Sequence, residues 1–97
     1  MERDEHYDLL TPRPEQLIAH IPEAIKTLHE NLSEILRLLI PTQGAAGDLH
    51  MGFLHKADER RANEAKAVSE LLSEIEGLAR KALSTIKSVA TDHSVSV

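Results

Sequence analysis

Apolar residues recur along this chain at alternating intervals of three and four. Ile18, Ile21, Ile25, Leu28, Leu32, Ile35 and Leu39 form one such run. This spacing is the a/d seam of a helix that packs knobs-into-holes. Leu17, Ala24, Leu36 and Leu38 widen the apolar face. A two-stranded coiled coil does not need that width, whereas a bundle does. A second run passes through Ala65, Val68, Leu72, Ile75, Ala79, Ala82, Ile86 and Val89. Extended backwards it meets Met51, Leu54, Asp58 and Arg61, so it survives at its start and turns polar in the middle.

Breaking residues set the expected boundaries. Pro14 suits a first helical turn, where its missing N–H costs nothing. Pro22 should kink the first helix or split off a short N-terminal turn, because its ring clashes with the carbonyl four residues back. The helix over about 14–40 then stops before Pro41. The segment Pro41-Thr42-Gln43-Gly44-Ala45-Ala46-Gly47 reads as a turn on its proline and two glycines. Asp48 is a candidate N-cap for a second helix over about 48–90. Gly77 falls on its outward face. Residues 1–13 read as a flexible acidic arm, and 91–97 as a fraying, disordered tail.

The predicted fold class is therefore all-α: an antiparallel helical hairpin over 14–90. Pairing outward from the turn sets Leu39 against Met51 and Ile18 near Leu72. The last third of the second helix is left unpartnered, and the polar pair Asp58 and Arg61 faces Leu32 and Leu28. Two helices share one line of contact and cannot surround a core. Leaving about ten large aliphatic side chains half exposed forgoes on the order of 1 kcal/mol each. The hairpin is thus expected to dimerise into a four-helix bundle, with itself or with a related chain. The expected interface is Ile18, Ile21, Ile25, Leu28, Leu32, Ile35, Leu39, Leu54, Val68, Leu72, Ile75, Ile86 and Val89.

Composition narrows the function. Leu, Ile, Val and Phe make up 26 of the 97 residues, enough for a folded chain. A net charge of −5 and only two aromatic residues, Tyr7 and Phe53, argue against a nucleic-acid partner. No apolar run spans a membrane, and the charged N-terminus is unlike a classical signal peptide. The expected location is the cytoplasm, or outside the cell by a route that ignores such signals. With no cysteine, thiolate chemistry and disulfides are absent.

The six histidines raise the question of metal binding. His50 and His55 lie about 140° apart around a helix and do not share a face. His55, Asp58 and Glu59 have ligand-type spacing, but on a charged helix this reads as a solvated face. His20 and His29 lack the Glu-x-x-His pairing of a di-iron bundle. Asp58 with Arg61 reads as a register-fixing ion pair rather than a catalytic acid. The charged stretch from Lys56 to Lys66 reads as a solvated face with i, i+4 pairs. No catalytic residue, metal ligand or cofactor is expected, and the chain is not expected to be an enzyme.

The expected turn, Thr42-Gln43-Gly44 followed by Ala45-Ala46-Gly47, sits near the middle of a chain of 97 residues. In this the chain resembles the WXG family, small helical hairpins associated with type VII (ESX) secretion. Thr42 stands where the family has Trp, and no Tyr-x-x-x-Asp/Glu signal follows the second helix. The resemblance implies a secreted factor, or a partner or chaperone for export, with a larger protein client. The missing signal favours the member of a pair that depends on its partner. The other reading is a cytoplasmic helical regulator or inhibitor, phage-encoded or antitoxin-type, that masks a target protein.

Overall fold

The computed structural model describes residues 13–97. They form three helices, α1 (Pro14–Ala19), α2 (Ile21–His55) and α3 (Glu59–Asp92). The break between α1 and α2 falls at His20, just before Pro22 in the first turn of α2, so the proline splits off a short N-terminal turn as expected. The arm over 1–13 lies outside the described residues except for Arg13, whose N–H donates to Gln16 Oε1 at 3.1 Å.

α2 and α3 pack antiparallel as a hairpin, but its turn lies where the sequence pattern does not put it. Thr42, Gln43 and Gly44 stand in the middle of α2, which runs straight through Pro41. The chain reverses instead over Lys56-Ala57-Asp58. Ala57 N–H donates to Leu54 O at 3.0 Å and Asp58 N–H to Phe53 O at 2.9 Å. Together these close a Schellman cap with Ala57 left-handed at φ 59°. Asp58 then caps α3, its Oδ1 accepting from Arg61 N–H at 3.1 Å. Asp58 and Arg61 are thus a helix start and not a polar interruption of a seam.

The helix survives Pro41 because the stretch after the proline is held from outside. In isolation, interior proline costs about 3 kcal/mol and each glycine about 1 relative to alanine. Against this, Ala46 is buried on α3, Gln43 Nε2 donates to Glu76 Oε1 at 2.9 Å, and His50 Nδ1 donates to Ala62 O at 2.8 Å. The Thr42 hydroxyl also donates to Leu38 O at 2.7 Å, one turn back. Ending α2 at Ile40 would take Ala46 and Phe53 off α3.

Two grooves show the register. They set Leu28 and Leu32 beside Ile86 and Ala82, and Leu49 and Phe53 beside Ala65 and Arg61, so Leu39 lies near the level of Glu76 and not against Met51. The two helices are 35 and 34 residues long and pair along their whole lengths, so α3 has no unpartnered last third. α3 runs to Asp92 and ends in a second Schellman closure: Val95 N–H donates to Ala90 O at 2.8 Å, with Ser94 at φ 55°.

The packed line follows Ile25, Leu32, Leu39, Ala46 and Phe53 on α2 and Ala65, Leu72, Ala79 and Ile86 on α3. Its most buried members on α3 are alanines: Ala62, Ala65, Ala79 and Ala90. The described residues measure 64 × 37 × 15 Å with a radius of gyration of 20.5 Å, against about 12 Å for a compact globule of this size. It is one layer of helix thick.

Candidate docking face

The sequence seam and the packed line share one row and part on the other. On α2 the packed line adds His29, Leu36, Gln43 and His50 to Ile25, Leu32 and Leu39, where the seam adds Leu28 and Ile35. A step of four residues turns about 40° around a helix. The contact with α3 is therefore rotated by about that angle from the centre of the apolar stripe. α3 shows the same offset, packing Ala62, Ser69, Glu76 and Leu83 in place of Val68 and Ile75.

The rest of the stripe is left bare. Leu28, Ile35, Leu38 and Leu49 on α2, and Val68, Leu71, Ile75 and Leu78 on α3, are each 41–69 % exposed. They lie on one side of the layer. Leu28 and Leu32 line an open groove with Leu78, Ala82 and Thr85. Farther towards the turn, Leu49 and Phe53 line another with Ala65 and Val68. Filling the gaps in the two bare rows are Asn31, Thr42, Ala45, Ala82, Thr85 and Val89. No position of either row, from Leu28 to Leu49 or from Val68 to Val89, carries a charge.

The opposite side is built differently. Lys26, Glu30 and Arg37 lie there on α2, and Lys66, Glu70, Arg80 and Lys87 on α3. Glu76 ties the helices together by accepting from Gln43 and, at 2.8 Å, from Arg80 Nε. The Gln43 hydrogen bond, then that of Arg80, holds the Glu76 carboxyl below its ordinary value. Arg37 likewise holds Glu34 low through a hydrogen bond from Nε at 2.9 Å and a second from its terminal nitrogen. Only at the turn end does a charged pair approach the bare side, where Arg61 Nη1 meets Glu64 Oε2 at 3.2 Å.

The expected interface residues divide among these surroundings. Ile25 and Leu39 are buried against α3, and Ile21, Leu32, Leu72, Ile86 and Val89 are half-buried. Leu28, Ile35, Val68 and Ile75 belong to the bare face, with Ile18 exposed beyond its far end and Leu54 exposed on the charged side. Four members of the face, Leu38, Leu49, Leu71 and Leu78, were not among the expected interface residues. Their signal was a second three-four run beside the seam, readable through Leu71 and Leu78 once Val68 and Ile75 are placed.

No metal centre forms among the described residues, where no three histidine or acidic side chains converge. His50 is engaged with a backbone carbonyl, and His20 lies 3.5 Å from Glu23 in an exposed pair. No described helix is long and apolar enough to cross a membrane. Comparison with family models, with curated proteins and with solved structures gives no match for this chain.

Proposed function

We propose that this protein is a non-enzymatic protein–protein interaction module, a helical hairpin that completes a four-helix bundle with another helical chain. The observation that carries this reading is the rotation of the apolar stripe away from the hairpin contact. A helix with one neighbour points the centre of its stripe at that neighbour. A helix in a four-helix bundle has two, and the centre of its stripe points between them. Both helices here have the second pattern, with the open direction on the same side. An uncharged face bearing eight exposed aliphatic residues is the kind of surface that soluble monomers avoid and interfaces use.

The WXG resemblance would place this module in type VII secretion, as a factor or as a partner or chaperone for export. With Thr42-Gln43-Gly44 inside a helix, the hairpin architecture is what supports that extension. A regulator masking a target protein would use the same face.

The test pairs the wild-type chain with the double variant Leu71→Glu, Leu78→Glu, whose sites are exposed and off the hairpin contact. The wild type should either form a larger species or, as a monomer, bind an apolar dye such as anilinonaphthalene sulfonate. The variant should be a dye-free monomer of unchanged helicity. Equal mass and equal dye binding in the two proteins would refute the reading.

A further inference from the structure

We propose that the acidic arm ahead of α1 is a strap. Its residues Tyr7, Leu9 and Leu10 seat along the free-end part of the bare face, and a helical partner that covers the whole face has to lift them. For what the strap competes with, the proposal rests on the docking reading above. Its own grounds are where the arm joins the hairpin, how far it reaches and what charge it carries.

α1 meets α2 at His20, and a shallow groove starts there, lined by His20, Glu23, Ala24, Thr27 and Leu28. Leu28 also lines the free-end groove, which continues over Leu32, Leu78, Ala82 and Thr85. Together they make one track from the root of the arm onto the bare face. Reach decides how much of it the arm covers. α1 is about 9 Å long and His20 to Leu28 spans about 12 Å, so Leu28 lies within about 21 Å of Pro14 however α1 is angled. Extended chain gains about 3.3 Å per residue, which carries Leu9 about 16 Å and Tyr7 about 23 Å from Pro14. Leu9 and Leu10 thus come over Ala24, and Tyr7 over Leu28. Leu49, in the turn-end groove, is at least about 34 Å from Pro14 and beyond all three.

Charge and tether select this segment over a free apolar partner. From residue 2 to residue 8 it carries Glu2, Asp4, Glu5 and Asp8 against Arg3 alone. Lys81 edges the free-end groove opposite Leu28, and among the described residues it pairs with no acid. Glu5 and Asp4 follow Tyr7 by about 7 and 10 Å of chain, which brings them to that edge. The one acid lining the track, Glu23, lies 3.5 Å from His20. A separate partner meets the face at its own concentration, whereas a tether this short holds the arm at an effective concentration on the order of millimolar. A contact of three apolar side chains and an ion pair is then populated without any partner present.

The chain has no cysteine, so a spin label on Arg3→Cys is the only one in the molecule. In the full, isotope-enriched chain it should broaden the amide NMR signals of Leu78, Ala82 and Thr85. The broadening should be about threefold or more that in the same labelled chain carrying Leu9→Asp and Leu10→Asp, which keeps the tether and loses the apolar contact. Lys81→Glu should remove about half of the excess. Equal broadening with and without Leu9→Asp and Leu10→Asp would overturn the strap. Broadening seen only when labelled chains are mixed with unlabelled, isotope-enriched ones would also overturn it, because the groove would then hold the arm of another copy. Neither result touches the docking reading, whose own test is the mass and dye binding of the Leu71→Glu, Leu78→Glu variant.

Discussion

Ala57 turns the hairpin in a backbone conformation that alanine disfavours. At φ 59° its Cβ crowds the next carbonyl oxygen, a strain of about 1–2 kcal/mol that glycine does not carry. Glycine loses part of this advantage through its greater freedom when unfolded. Ala57→Gly should therefore stabilise the hairpin by up to about 1 kcal/mol, read as a higher midpoint of urea unfolding. Glu76 makes a prediction of another kind. Its carboxyl is held below the ordinary 4.5 by Gln43 and Arg80, so the carboxylate favours the folded state. That contribution is present above the unfolded value and is lost as pH falls through the folded one. Thermal stability should rise between about pH 3 and pH 6, and Glu76→Gln should flatten part of that rise, with Glu34 supplying another part.

At the scale of the helices, sequence and structure diverge at one point. That the chain makes two long helices, with Pro22 splitting off a short first turn, was legible from periodicity and from proline chemistry. The position of the turn was not. Pro41, Gly44 and Gly47 are local breakers, yet α2 continues because Leu39 before them and Ala46 and Phe53 after them pack on α3. The real turn at Lys56-Ala57-Asp58 contains neither proline nor glycine and lies among good helix formers. Its left-handed residue is an alanine, which no composition rule singles out. The face was half legible for the same reason. Periodicity defines the stripe, but only the register of two helices decides which side of it stays bare. The stretch from Pro41 to Gly52 owes its helicity to α3, so its amides should be the first interior amides of α2 to exchange with solvent. Gly44→Ala, at a site with open space around the Cβ position, should slow that exchange and add about 1 kcal/mol of stability.

At the scale of the whole molecule, the described residues form a single layer, 15 Å thick, whose two sides obey different rules. One carries charges paired along and between the helices, and the other carries none over the length of both bare rows. Substitutions should separate accordingly. Leu72→Asp places a charge on the line between α2 and α3 and should abolish cooperative unfolding and most helicity. Leu28→Asp places the same charge on the open face and should leave a folded hairpin that no longer associates.

Small-angle X-ray scattering of the wild-type chain tests the central claim most directly, because it reads mass and shape together. Face-to-face association predicts twice the 10.8 kDa chain mass, with a maximum dimension close to that of one hairpin and a doubled thickness. A dimer much longer than 64 Å, or a single-layer particle with the mass of one chain that binds no apolar dye, would contradict it.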